Sequence, residues 1–401
     1  MPIKTLTIAL LVAACFPSAL AQSPQGKFQH IIIVVQENRT PDNLFASCSI
    51  PGADLVAMGS AIGLSKTKDN PHSHHEFITE RAGNWPPLAL NYIRNSDVVL
   101  YCQLAQKYGF ANRMFQTNQG PSFPAHQFLI SGTSSVTDES HVLVAENQHG
   151  SAFLHAGCNA VPDSIVQAID DFNKLSLVFP CFQRSSILNL LDEAGLPWRY
   201  YAAPPSVIWT APLALQEYYK SPNIIYSPAT FIKDVAKCDL SAVTYVMPIG
   251  AESDHAGGNS GLGPTWVTSI ANAIGNSPCG YWNNTAILVT WDDWGGWYDH
   301  VVPPVNHTGW APYNAYGFRV PLLVISARTP AMTDNVQHDF GSILRFVESN
   351  FGLGLIGPGT WADSYADDLG NFFTATPAPY LPMKTKKVDW DKLPMTDPDD
   401  D

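Results

Sequence analysis

Glu37 and Asn38 follow the apolar run His30 to Val35 after Gln36, and about 250 residues later Asp292 and Asp293 follow the run Ala286 to Thr290 after Trp291. Four oxygen-bearing side chains thus stand at the ends of two strand-like segments. Such a donor set suits Mg²⁺, Ca²⁺ or Mn²⁺ better than a soft metal. Neighbouring carboxylates repel and raise each other's pKa, so a cation held between Asp292 and Asp293 relieves a real penalty. A helix cap, or pairing with an arginine such as Arg39, explains any one acid equally well. Two adjacent acids beside Gly295 and Gly296 are harder to explain that way, and they point to a hydrolytic site built on a hard divalent ion.

The elements that must position these groups are legible as apolar periodicity. Open ends of buried strands hold ligands in α/β proteins because the sheet fixes the side chains while loops leave room for substrate. Trp198 to Ala202, Ala242 to Met247 and Val320 to Ser326 are further apolar runs of the kind covered on both faces. Between them, Ser186 to Ala194 carries Ile187, Leu188, Leu190 and Leu191 at turn spacing and stops at Gly195. Gly341 to Asn350 repeats this with Ile343, Leu344, Phe346 and Val347 ahead of Gly352. The alternation predicts an α/β fold, with a parallel or mixed sheet between helix layers. No repeat or linker interrupts it, so residues 22–375 read as one large domain. From Thr376 the chain is rich in Pro and Lys and closes on Asp397-Pro398-Asp399-Asp400-Asp401, a composition that predicts a loose tail.

Lys4, the apolar stretch Leu6 to Ala14 and Ala19-Leu20-Ala21 read as a signal peptide over residues 1–21, which predicts a secreted or periplasmic protein. Val12-Ala13-Ala14-Cys15 offers the alternative of a lipoprotein box with a lipid anchor on Cys15. Beyond the leader no transmembrane helix is expected. The formal charge is −13, and nucleic acid is a poor partner for such a surface. Six cysteines follow Cys15, namely Cys48, Cys102, Cys158, Cys181, Cys238 and Cys279. An even count in an exported chain favours disulfides, with about 15 pairings open. None has the spacing of a sulfur-ligated zinc site.

The segment Glu37-Asn38-Arg39-Thr40-Pro41-Asp42-Asn43-Leu44-Phe45 resembles the ENRSFDxxF opening of the phosphoesterase family that contains bacterial phospholipases C and related acid phosphatases. Gly120-Pro121-Ser122-Phe123-Pro124, Ser253-Asp254-His255 and Thr290-Trp291-Asp292-Asp293-Trp294-Gly295-Gly296-Trp297-Tyr298-Asp299-His300-Val301 fit later blocks in the same order. Gly317-Phe318-Arg319-Val320-Pro321 and Ser342 to Glu348 are similar to its closing blocks, so the likeness spans about residues 30 to 352.

The resemblance implies an alkaline-phosphatase-like three-layer α/β/α sandwich with a mostly parallel central sheet. It further implies a divalent metal ion held by Glu37, Asn38, Asp292 and Asp293, with Ser122 as nucleophile. A metal contact would lower the hydroxyl pKa and draw charge from the phosphoryl oxygens. Asp69-Asn70-Pro71-His72 is similar to a D-x-x-H element of relatives and selects His72 over His74 and His75. His255 stands in a block that relatives use for phosphate and leaving group. Asp254, His126 and His300 are candidates for a supporting layer, and His338 is either that or structural. This chain departs from the family at Pro124-Ala125-His126, where relatives carry Pro-Asn; His126 is the replacement for the missing amide. Thr40-Pro41 replaces the usual Ser-Phe, and the extra C-terminal β domains of many bacterial phospholipases C have no counterpart.

The expected function is an exported, metal-dependent phosphoric ester hydrolase. Its substrate is a phosphate ester, with a phospholipid as one option. Phosphatase and phospholipase C chemistry share the core and differ in what the loops admit. Trp291, Trp294, Trp297, Tyr298 and Trp310 either pack the site or stack on a substrate. A non-catalytic exported metal- or ligand-binding protein is the alternative. A sulfatase is disfavoured because the Ser122 segment lacks the arginine of a Cys-x-Pro-x-Arg context. Metal identity, natural substrate and oligomeric state are open.

Overall fold

In the computed structural model, residues 25–150, 155–203, 208–304 and 315–395 are described, so the leader, Cys15 and Trp310 lie outside the described residues. Eight strands form the main sheet: β1 (His30–Gln36), β4 (Gly109–Ala111), β8 (Trp198–Tyr201), β9 (Ile224–Ile225), β10 (Val243–Val246), β11 (Thr285–Trp291), β12 (Leu322–Ser326) and β13 (Met332–Asp334). β2 (Ala61–Ile62) pairs with β3 (Tyr92–Ile93), while β5 (Leu143–His149), β6 (Ile165–Ile169) and β7 (Leu175–Val178) form an antiparallel sheet of their own. The helices are α1 (Pro41–Phe45), α2 (His74–Arg81), α3 (Asn95–Lys107), α4 (Ser122–Ser131), α5 (Ile187–Glu193), α6 (Thr230–Ala236), α7 (Gly263–Gly275), α8 (Phe340–Phe351) and α9 (Ala362–Tyr365).

The main sheet runs in the order β13-β4-β12-β11-β1-β10-β8-β9, with every pairing parallel except the two made by β12. β1 is central because Ile31 to Val35 is an unbroken β-branched run, stiff in the extended form and buried on both faces. Each such side chain contributes about 1.5–3 kcal/mol when fully withdrawn from water.

Strand parity places the helices. Tyr245 of β10 sits in register with Tyr200 of β8 and donates its hydroxyl to the Leu129 carbonyl of α4. The next residue along, Tyr201, faces the other way and packs edge-on against Phe231 of α6. Trp291, on that second face, meets Tyr101 of α3 and Phe45 of α1. Helices therefore cover both faces, and the expected α/β class with a mostly parallel central sheet is what the chain adopts.

Ser186 caps α5 through a capping box with Asn189, and Asp339 caps α8, which ends on the expected Gly352. The run Val320 to Ser326 is a strand only from Leu322, and it is antiparallel to β11. The cysteines pair as Cys48–Cys102, Cys158–Cys181 and Cys238–Cys279.

The stretch after Thr376 is not loose as far as residue 395. Ala378 accepts a hydrogen bond from Trp282 Nε1, Tyr380 donates to Asn272, Met383 is buried, and Trp390 stacks edge-on against Trp266 of α7. A few well-spaced apolar side chains outweigh the polar composition there. No helix among the described residues is long and apolar enough to cross a membrane.

Candidate active site

β1 and β11 are parallel neighbours in a register that ends at Gln36 opposite Trp291, so the next two residues of each strand leave the sheet side by side. Successive side chains of an extended chain point to opposite sides. The four groups accordingly divide into two adjoining sets. Glu37 and Asp292 face His126, whose Nε2 lies 3.2 Å from Glu37 Oε1 and 3.7 Å from Asp292 Oδ2. Asn38 and Asp293 face Ser122, whose Oγ donates to Asp293 Oδ2 at 3.0 Å and lies 3.5 Å from Asn38 Oδ1. All six side chains are buried.

The two sets are joined through the backbone. Asn38 takes a left-handed φ of 61°, uncommon for a side chain other than glycine, and this turns its N–H onto Asp292 Oδ1 at 2.9 Å. Gly295, at φ 59°, closes over it. A Cβ at Gly295 would lie 2.5 Å from the Asn38 carbonyl oxygen, so a bare backbone is required there. The Gly295 N–H donates to Asp293 Oδ1 at 2.6 Å.

Ser122 opens α4, a helix buried along its whole length, and Pro124 is tolerated because it falls in the first turn. The neighbouring Phe123 N–H is capped by Asn147 of β5 at 2.9 Å. The hydroxyl thus meets the positive end of a helix dipole, which favours charge on an oxygen at that place. His126 lies four residues on, one helical turn away, and must share the face of Ser122. That spacing was available in the sequence. The expected supporting role understates His126, which is in direct contact with Glu37.

Burial, and then the neighbouring Asp292, hold the Asp293 carboxyl well above the usual carboxylate range. Asp292 Oδ2 is buried and accepts no hydrogen bond. An uncompensated buried oxygen beside a second acid is an arrangement that a cation completes. Glu37, His126 and Asp292 present ligand atoms all within 4.8 Å of one another, and Asn38, Asp293 and Ser122 offer oxygen beside them. The residues present therefore fit a divalent ion.

His72 joins the second set: its Nε2 accepts from Asn38 Nδ2 at 3.0 Å and lies 3.8 Å from Asp293 Oδ2, while Nδ1 donates to the Asn70 carbonyl. The His255 ring stands 6.5 Å from that of His72, stacked on Trp209, with Nδ1 on the Ala256 carbonyl.

Two expected supporting residues are placed elsewhere. Asp254 turns its carboxylate to Tyr101 and Trp291, because it points opposite to its neighbour His255. Burial raises that carboxyl to about 6. His300 commits Nδ1 to Asp42 and Nε2 to Asp54, in a network closed by Arg319. His338 is structural, bonded to Asp334 and Asp367. Trp291, Trp294 and Trp297 are buried packing residues, and Trp85 stacks edge-on against Tyr298. Two acids that the sequence did not single out lie near His72 and His74. Glu80 accepts from Trp294 and Glu146 from the His74 N–H, and burial raises each to about 7.

Fold and site together define an α/β protein with a buried cluster of acids, histidines and one hydroxyl at the C-terminal ends of its parallel strands. The chain belongs to the Phosphoesterase family, whose sequence profile matches residues 63–354. The block Glu37 to Phe45 precedes that match. The chain is 24% identical over 337 residues to a non-specific phospholipase C6 of Arabidopsis thaliana, covering 76% of this chain and 57% of the relative. It is 23% identical over 455 residues to a non-hemolytic phospholipase C of Pseudomonas aeruginosa, covering 94% and 62%. It thus spans only about three-fifths of the length of these curated relatives. Among solved structures, it is similar to a Vibrio parahaemolyticus protein of the alkaline phosphatase superfamily at a TM-score of 0.41 and 12% identity, covering 86% of this chain and 71% of that one.

Proposed function

We propose that this chain is an exported, metal-dependent phosphoric ester hydrolase that works through a serine nucleophile. The observation that carries the reading is the Ser122 hydroxyl at the head of α4, 3.0 Å from Asp293 and within the same cluster as Asn38 and His72. Glu37, Asn38, Asp292 and Asp293, the quartet read from the sequence, would hold the ion. When bound, it would neutralise the paired acids, lower the hydroxyl pKa and offset charge on the phosphoryl oxygens.

Ser122 Oγ forms the new bond to phosphorus as its proton passes toward Asp293 Oδ2, with the helix terminus favouring the charge that develops. The ester P–O bond breaks on the opposite side, and the departing alcohol takes its proton from His255 or His72 when that ring carries a second proton, on Nε2. Water then opens the phosphoserine and releases phosphate or a phosphorylated head group. Family membership and relatives named phospholipase C support a phosphate ester as substrate. The disulfide set and the leader-like residues 1–21 support export.

The test is turnover of a chromogenic phosphomonoester, a phosphodiester and phosphatidylcholine, with and without EDTA, by the wild type and Ser122→Ala. Loss of about a thousandfold or more on the preferred substrate is expected in the variant, and loss of activity on chelation. Full turnover by Ser122→Ala removes the nucleophile assignment. A bound ion with no hydrolysis of any ester favours a binding protein instead.

A further inference from the structure

We propose that His126 is itself a ligand of the divalent ion. Glu37, His126 and Asp292 would then form a mixed nitrogen and oxygen position, and the chain would select a borderline ion such as Co²⁺ or Zn²⁺ over Mg²⁺ and Ca²⁺. The inference rests on the metal-dependent reading above and changes the ligand set read from the sequence, which is oxygen only.

Geometry argues for it first. Ligand atoms about 2.1 Å from a shared ion lie about 3.0 Å apart on an octahedral edge and about 3.4 Å apart on a tetrahedral one. His126 Nε2 stands 3.2 and 3.4 Å from the two Glu37 oxygens and 3.7 Å from Asp292 Oδ2, close to the span of one coordination polyhedron. Asp292 divides its labour accordingly: Oδ1 accepts the Asn38 N–H, while Oδ2 is buried, accepts no hydrogen bond, and faces His126. The rigidity of α4 fixes the imidazole one turn from Ser122, so a single helix would present both nucleophile and nitrogen ligand.

A contrast within the molecule sharpens the point. The other close acid and histidine group, Asp42, Asp299 and His300, already holds a cation, because Arg319 donates to Asp299 and Asp42. Asp292 Oδ2, by contrast, is buried and accepts no hydrogen bond. Imidazole nitrogen suits Zn²⁺ and its transition-metal neighbours, whereas Mg²⁺ and Ca²⁺ prefer oxygen throughout.

The test uses the mature full-length chain, stripped and reloaded with Mn²⁺. Pulsed EPR should show a histidine ¹⁴N coupling to Mn²⁺ in the wild type that is absent in His126→Asn. Equilibrium dialysis should show Zn²⁺ and Co²⁺ affinity falling by about 100-fold in His126→Asn, with Mg²⁺ and Ca²⁺ affinity changing far less. Mn²⁺ bound by the wild type without a ¹⁴N coupling, or a coupling and selectivity unchanged in the variant, would overturn the proposal and leave the oxygen-only site standing. Failure of the wild type to bind any divalent ion would remove the metal-dependent reading itself. The wild-type spectrum is decisive even if the variant does not fold.

Discussion

The most exacting perturbation of the site is a single methyl group. Gly295→Ala adds a Cβ that meets the Asn38 carbonyl oxygen at 2.5 Å and Asn38 Cβ at 2.7 Å, about an ångström inside ordinary van der Waals contact. Asn38 has little room to retreat. Its N–H is held by Asp292 at 2.9 Å, its amide nitrogen by His72 at 3.0 Å, and its own φ is already 61°. The substitution also places alanine at φ 59°, which costs about 1–2 kcal/mol on its own.

Gly280→Ala provides the control, since Gly280 lies at φ 74° with nothing within 4 Å of an added Cβ. It should lower stability to urea by about 1–2 kcal/mol and leave turnover unchanged. Gly295→Ala should lose more stability than that. Because a displacement of about 1 Å at a reacting centre costs on the order of 100-fold, its turnover of a chromogenic phosphate ester should fall by about that factor. If the two variants match in both stability and turnover, close packing of Gly295 on Asn38 does not set the geometry around Ser122, and the reasoning is refuted.

Asp293→Asn should stabilise the ion-free protein by about 0.5–2 kcal/mol at neutral pH, because a carboxyl whose folded pKa is raised penalises the folded state wherever it is ionised. The same variant should gain little from added Mn²⁺, whereas at about 100 times its Kd the ion should stabilise the wild type by about 2.7 kcal/mol; differential scanning calorimetry reads both. Truncation after residue 375 should lower the urea midpoint by an amount worth about 3–5 kcal/mol, since it removes buried Met383 and the packing of Trp390 on Trp266; an unchanged midpoint would mean that the segment is dispensable. Desolvation disfavours a charged His338, but hydrogen bonds to Asp334 and Asp367 prevail and raise its pKa to about 9. Its stabilising contribution is therefore complete below about 6.5 and lost as pH rises through 9, and His338→Gln should flatten the fall in stability across that window.

The strands that carry the acids were legible because each is a continuous apolar run ending in polar groups, and burial of both faces leaves such runs few other places to go. Pairing direction is a different matter. Leu322 to Ser326 has the same composition whether parallel or antiparallel, and only the path of the chain before it settles that β12 opposes β11. The sheet of β5 to β7 was missed because polar residues interrupt its short strands, Glu146 to Gln148 in β5, Gln167 in β6 and Ser176 in β7. Yet β5 supplies the Asn147 cap next to Ser122.

Within the site, adjacency in sequence misled where alternation governs. Asp254 and His255 look like one functional pair but face opposite directions, the first toward Tyr101 and Trp291 and the second toward Trp209 and His72. The same alternation makes the four-residue oxygen set two half-sites, Glu37 with Asp292 and Asn38 with Asp293, each met by a different residue of α4. A strand pair thus separates Glu37 and Asp292 from Asn38 and Asp293 by one residue of register, and a helix at the sheet end joins the two sets by one turn. Either period is readable alone; their meeting point depends on β1 and β11 being neighbours, which lies in the fold and not in any local stretch of residues.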